Sequence, residues 1–306
     1  MGSRFNCVCD GGFGNRINSL VSGLILWENS FADKEFVVIW PSNRYCEAKI
    51  FDLLDLRFLT EAFPALEVES DYSNVSDNLL VLSHDKNKRA GEFYDLMAFS
   101  SAEDLKALRR PNLDVFFCTA LVPFIINYPE FNKLLPYIVP SQKVYDVYWS
   151  RYSDLKCNAV AVHMRGTDYG FSMRYFLRWK LIMKSLFFVR FHVFTDDSDL
   201  TRFFNNLDNA KVVSSSDLPS KYEEEAPWYD RKEGEYNILR GESTVISSFA
   251  ELLYLSEHFK IITSRSTFLF SAFLFSSRSP KLGLWILFQL NRSISLLRVI
   301  RKRRKK

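Results

Sequence analysis

Cysteine is scarce and unpaired in this chain of 306 residues: Cys7, Cys9, Cys46, Cys118 and Cys157 are odd in number, and no Cys-x-x-Cys spacing occurs. A disulfide framework and a thiolate zinc site are both disfavoured. The thiols, mostly set in apolar runs, read as reduced core residues of a cytosolic protein. Long hydrophobic runs are missing too. No segment offers ~20 uninterrupted apolar residues, and the opening Met1-Gly2-Ser3-Arg4 leads into a stretch too short and too polar for a secretory signal. Neither membrane spanning nor secretion is expected. The body also lacks an excess of positive charge. The formal charge is +4, and Arg298, Arg301, Lys302, Arg303, Arg304, Lys305 and Lys306 together exceed it. What remains is near neutral or slightly acidic, which argues against a nucleic-acid partner held on a uniformly basic face. No internal repeat is evident.

What is present is apolar and aromatic material, 47% and 16% of the chain, enough for one large core or two of ordinary size. Residues 5–9 read as a strand, Asp10-Gly11-Gly12-Phe13-Gly14-Asn15-Arg16 as a glycine-rich turn, and Ile17, Leu20, Val21, Leu24 and Ile25 as the spacing of a helix. Further strands are predicted at 36–40, 79–82 and 113–118, with a helix over 47–54. Ser141 caps a helix running to about Tyr152, where the first half ends. The alternation then restarts with a strand at 159–162, a helix over 173–186, strands at 191–194 and 212–213, a helix over 245–258, a strand at 260–263 and an apolar helix over 268–275. Residues 214–240, rich in Ser, Glu and Pro, read as a surface excursion. The fold class is α/β, with domains at 1–145 and 146–290 and a basic tail at 291–306.

Three strand-end loops carry the chemistry. A glycine turn lets backbone approach a ligand and aims helix amides at it, although the same turn would also serve simple chain reversal. The second loop is His163-Met164-Arg165-Gly166-Thr167-Asp168-Tyr169, which follows a short buried strand; a guanidinium there makes planar, bidentate contacts with phosphate. The third set is Thr195-Asp196-Asp197-Ser198-Asp199 and Ser264-Arg265-Ser266-Thr267. Ser266 and Thr267 stand at the positive end of the apolar helix, where they either hold an anion or act as N-caps alone. In open α/β sheets ligands bind beyond the carboxyl ends of the strands, so all these loops fall where a site belongs.

Their order and spacing, over roughly residues 8–275, resemble the GDP-fucose-dependent fucosyltransferase superfamily, which spans α-1,2-, α-1,6- and protein O-fucosyltransferases. The resemblance implies a GT-B-like fold, two Rossmann-like domains facing across a cleft. It implies an enzyme with no cofactor and no metal requirement, which transfers fucose from GDP-fucose to a glycan or glycolipid hydroxyl by an inverting displacement; the cysteines and the opening residues make the expected location cytoplasmic. Carried over, Arg165 contacts the donor pyrophosphate and His163 lies beside the nucleoside. Asp197 or Asp196 reads the guanine or ribose, and Ser266 or Thr267 holds a phosphate. Asn15 with Arg16 reaches the reacting centre from the first domain. Asp168 orients the acceptor hydroxyl, or else caps its own loop. The chain departs from the family at Gly166, where many members have a second arginine. It departs again at Met173, where the α-1,6 branch has a carboxylate.

Other readings fit less of the sequence. A nicotinamide oxidoreductase would need a third glycine where Ile17 stands and an acidic residue after Trp40-Pro41. Asp197-Ser198-Asp199 has the DxD form of metal-dependent glycosyltransferases. A non-enzymatic membrane module would explain only the tail. There Trp285, Ile286, Leu290, Ile294, Leu297 and Ile300 recur at near-helical spacing before the basic run, which suits residues 291–306 to an anionic membrane surface.

Overall fold

The computed structural model describes residues 3–84, 88–96, 99, 105–119, 133–155, 158–164, 173–195, 198–213, 220–221, 238–258, 261–263 and 275. Two compact units emerge: Met1–Ser42 with Lys49–Pro140, and Asn43–Ala48 with the described residues from Ser141 onward.

The first unit contains β1 (Arg4–Val8), α1 (Phe13–Leu26), β2 (Glu35–Ile39), α2 (Ile50–Leu53), α3 (Leu56–Ala62), β3 (Glu67–Glu69), β4 (Leu79–Ser83), β5 (Glu92–Asp95) and β6 (Asp114–Cys118). Among the described residues these strands form one all-parallel sheet in the order β3-β2-β1-β6-β4-β5. Buried on both faces, the central strands are largely apolar. Phe5 of β1 stacks on Phe36 of β2 at 5.6 Å and on Phe117 of β6 at 5.9 Å. The one polar side chain inside β1, Asn6, is fully buried and donates from Nδ2 to the Val115 carbonyl at 3.1 Å. At the amino edge, polar groups bind one another. Arg4 pairs with Glu67 and Glu69, each at 2.8 Å, and Lys34 Nζ donates to Ser3 Oγ and to the carbonyls of Arg110 and Leu113.

Several sequence expectations need correction here. α1 begins at Phe13, so Asn15 and Arg16 belong to its first turn and the glycine turn is shorter than expected. The helix expected over 47–54 shrinks to the four residues of α2. Leu54 is extended and bridges to Pro140, and Asp55 then caps α3 by accepting from the Arg57 amide. The edge strands β3 and β5 were not anticipated. The cysteines behave as expected: Cys7, Cys9, Cys46 and Cys118 are free and buried. Burial pushes the Cys7 thiol pKa well up, which makes it a packing group and not a nucleophile. Cys157 lies outside the described residues.

The second unit contains α4 (Gln142–Tyr152), β7 (Val160–Met164), α5 (Met173–Ser185), β8 (Phe191–Thr195), α6 (Ser198–Phe204), β9 (Ala210–Val212), β10 (Ser220–Lys221), β11 (Ile238–Leu239), α7 (Glu242–Ser256) and β12 (Ile261–Thr263). Four strands pair in parallel in the order β12-β7-β8-β9, while β10 and β11 form a separate antiparallel pair inside the expected surface excursion. Strand alternation sorts the core. Val162, Met164, Phe191 and Val193 pack with Phe176 and Met183 of α5 and Phe204 of α6. On β8 the intervening His192 and Phe194 meet Tyr254 of α7 and His258 just beyond it. Helix α4, capped by Ser141 as expected, lies along α7. Tyr152 stacks on Tyr254 at 4.9 Å, and Arg151 donates to Ser247 Oγ at 3.0 Å. The segment Asn43–Ala48 joins this unit through backbone bonds, Glu47 N–H to Arg240 O and Arg240 N–H to Arg44 O.

At Gly23, α1 packs closely on Cys7 of β1. A Cβ there would lie 2.3 Å from Cys7 Sγ and 3.4 Å from the Phe117 ring. Alanine would gain ~1 kcal/mol of helix propensity but would overpack the core at a typical cost of about 1–3 kcal/mol. Gly23→Ala should therefore lower the urea midpoint. Adding Cys7→Ala, which removes the clashing sulfur, should give a double variant more stable than the sum of the two single effects.

Candidate functional site

In the second unit, register decides which loops become neighbours. His163 pairs with Thr263 on β12 and with Phe194 on β8, and Met164 pairs with Thr195. Three adjacent strands therefore end nearly level. From those ends the chain leaves toward Arg165 and Asp168, toward Asp196 and Asp197, and toward Ser266 and Thr267. These six residues lie outside the described set, as do 268–274 of the helix expected over 268–275, while Phe275 is a turn residue; the structure fixes the strand ends from which their segments depart. His163 is described, and it is the penultimate residue of β7, 6% exposed, not the first residue of a loop. Thr195, which ends β8, is also buried.

The first unit builds its carboxyl edge around Asp10. Asp10 Oδ1 accepts from the Gly11 amide at 2.6 Å, and Gly11 has φ +82, a left-handed conformation that β-carbon-bearing residues rarely adopt. Gly12 then starts α1 in an extended conformation and makes no side-chain cap bond. Arg16 is fully buried. Its Nε donates to the Gly11 carbonyl at 2.8 Å and its guanidinium lies 5.1 Å from the centre of the Trp40 ring. That guanidinium supports the glycine turn from beneath, while Asn15, half-buried beside Gly11, is the more accessible of the two.

Sequence reasoning missed other groups on this edge. Lys88 pairs with Asp10 at 3.7 Å, and His84, just after β4, stands 3.7 Å from Asp95 at the end of β5. Tyr72 is half-buried, and burial followed by the Asp10 charge raises its phenol pKa, so it stays a neutral hydroxyl. Only the strand-end positions of His84 and Asp95 could have signalled them, and β5 was not recognised as a strand. Chemically, this edge offers hydroxyl, carboxylate, imidazole and amide groups suited to a polyhydroxylated ligand. The edge of the second unit presents segments suited to an anion.

No family model matches the chain, and no characterised protein matches it in sequence. Its fold is α/β and GT-B-like, shared with solved fucosyltransferase structures. It is similar to NodZ alpha-1,6-fucosyltransferase co-crystallised with GDP, at TM-score 0.55 and 12% identity over 89% of this chain and 92% of that one. It is similar also to the fucosyltransferase NodZ from Bradyrhizobium, at TM-score 0.57 and 14% identity over 89% and 92%. A NodZ structure soaked with GDP-fucose gives TM-score 0.51 at 14% identity, with the same coverage.

A further polar cluster lies beneath the second sheet. His192 Nδ1 is 2.9 Å from His258 Nε2 and 3.1 Å from the Tyr254 hydroxyl, and His258 Nδ1 lies 2.9 Å from the Tyr254 carbonyl. His258 must donate from Nδ1 to that carbonyl, so in the neutral pair its Nε2 accepts from His192. The pKa of His192 is pushed down to about 4, first by burial, then by His258 and by Lys211. In the unfolded chain it returns to about 6.5. Between those values the unfolded state binds a proton that the folded state does not, so stability rises with pH. This contribution is fully present above about pH 6.5 and is lost as pH falls toward 4. Urea midpoints measured across that window should decline in the wild type. His192→Gln, which has no titrating ring, should decline less steeply.

Proposed function

We propose that the protein is a glycosyltransferase that moves fucose from GDP-fucose to a hydroxyl of a glycan or glycolipid acceptor. The observation that carries this reading is the level ending of β12, β7 and β8, which sends the Arg165, Asp196 and Ser266 segments from one edge. Its support is a fold shared with NodZ structures obtained with GDP and with GDP-fucose.

In this reading the acceptor oxygen attacks the anomeric carbon, the bond from that carbon to the β-phosphate oxygen breaks, and GDP departs with inversion. Arg165 and the hydroxyls of Ser266 or Thr267 stabilise charge growing on the leaving phosphates. His163 borders the nucleoside, and Asp196 or Asp197 reads guanine or ribose. Asp168 orients the acceptor hydroxyl whose proton must be lost. Asn15 contributes from the first unit, held in place by the turn that Arg16 supports. Fixed cations and a helix start can do the work that a metal does elsewhere. Residues 291–306 attach the enzyme to the anionic inner face of a membrane from the cytoplasm. A chain ending at Asn291 should lose part of its salt-sensitive vesicle binding.

A donor screen with GDP-fucose, GDP-mannose and UDP-sugars, followed by product release, tests the assignment directly. GDP-fucose should be the productive donor, and activity should survive EDTA. A complete loss in EDTA, restored by Mn²⁺, would transfer the leaving-group role to a metal at Asp197-Ser198-Asp199.

Arg165→Ala should cut kcat by about two decades, the ~3 kcal/mol typical of one charge-assisted contact in a dry site, without moving the urea midpoint. Arg165→Lys should recover little, because a point charge cannot replace the bidentate fork. Near-normal kcat/KM in either variant would refute this role.

A further inference from the structure

Helix α5 and the turn after it expose an apolar surface that is left solvent-facing among the described residues. Phe176 and Met183 of α5 are buried against the sheet, yet Leu177, Leu181 and Ile182 face outward, with Leu181 63% exposed. The turn continues the surface. Phe187 and Phe188 are 78% and 74% exposed, and their rings meet edge to face at 5.6 Å. Scattered exposed apolar residues need no explanation; a group of this size on one helix and its adjoining turn does.

The turn is held by specific bonds. Asn209 Nδ2 lies 2.9, 3.0 and 3.0 Å from the carbonyls of Met183, Leu186 and Val189, its two N–H groups shared among these acceptors at the end of α5 and in the turn. The Leu186 amide bonds back to Ile182 and Met183, and the Arg190 carbonyl accepts from Val160 at the start of β7. Both phenylalanines are therefore presented from a backbone restrained by these bonds, which reduces the backbone entropy lost on binding.

Charge selects the partner. From residue 173 to 191 the sequence carries Arg174, Arg178, Lys180, Lys184 and Arg190 and no acidic residue. Of these, Arg178, Lys184 and Arg190 are exposed, while Lys180 is engaged with the Phe203 carbonyl and ring. Asp208, next to Asn209, is the carboxylate beside the turn. Such a face would repel a second copy of itself, and equally the basic run at 301–306. Among the described residues no helix is long and apolar enough to cross a bilayer. A basic rim around protruding aromatic and aliphatic side chains matches an interfacial helix lying on anionic lipid.

We propose that α5 and the Leu186–Val189 turn form a lipid-docking surface, with Phe187 and Phe188 entering the acyl boundary and Arg178, Lys184 and Arg190 meeting anionic headgroups. This rests on neither the donor assignment nor the tail at 291–306. The test is sedimentation of the full chain with vesicles of phosphatidylcholine, alone or mixed with phosphatidylglycerol, at low and high salt. Wild type should bind the mixed vesicles. Phe187→Ser/Phe188→Ser should weaken binding by roughly tenfold or more at both salts, the scale expected from withdrawing two aromatic side chains. Lys184→Glu/Arg190→Glu should weaken it at low salt by at least about fivefold per residue. All four side chains are exposed, so urea midpoints and GDP binding should stay at wild-type values. Three results would overturn the proposal: equal binding of wild type and both variants, complete loss of binding on removing residues 291–306 alone, or self-association without lipid that the phenylalanine variant abolishes.

Discussion

Parallel pairing is the constraint on which the rest depends. Strands that run in one direction bring all their carboxyl ends to one edge, and every connection must cross back over a face. The polar, functional segments are thereby gathered without any contact between them having to be specified. In the second unit, pairing His163 with both Thr263 and Phe194 is sufficient to make neighbours of segments separated by about a hundred residues in sequence. In the first unit the same rule assembles Asp10, His84 and Asp95 from three strands.

The two edges of the first sheet differ for the same reason. Its amino edge is closed by local charge pairing, since Arg4 is engaged with Glu67 and Glu69 and Lys34 with a hydroxyl and two carbonyls. Its carboxyl edge carries a left-handed glycine, an uncapped helix start and a buried guanidinium supporting the turn between them. Burying that guanidinium carries a desolvation cost, partly offset by the Gly11 carbonyl and the face of Trp40. Arg16 is thus better understood through the turn it supports than as a ligand contact of its own.

Legibility in the sequence followed burial. Strands β1, β2, β4, β7 and β8 were readable because they are covered on both faces and almost wholly apolar. Strands β3 and β5, Glu-Val-Glu and Glu-Phe-Tyr-Asp, sit at the two edges of their sheet, where solvent permits polar residues and the signal disappears. An imidazole that ends an apolar run reads as the first residue of a loop; pairing of His163 with Thr263, a long-range contact, extends β7 through it. The trio of His192, Tyr254 and His258 was invisible for a similar reason, since sequence gives no notice that a strand residue and a helix terminus will meet. The glycine turn was legible because its chemistry is local. Even so, the helix start at Phe13 shifted Asn15 and Arg16 from loop to helix.

One connection relates the proposed site to the proposed lipid surface. Helix α5 follows the Arg165 segment in the chain, and its inward side chains Phe176 and Met183 pack with Val162 and Met164 of β7. The turn at its far end is tied to the start of the same strand through Val160 and Arg190. Densely packed elements move together, so a bilayer holding the outer face of α5 would also fix the direction of β7 and the edge where it ends. Docking would then restrain the orientation of the donor segments as well as their distance from the membrane. Orientation matters more than proximity for an acceptor confined to a surface, because a transfer site turned away from the bilayer gains nothing from being near it.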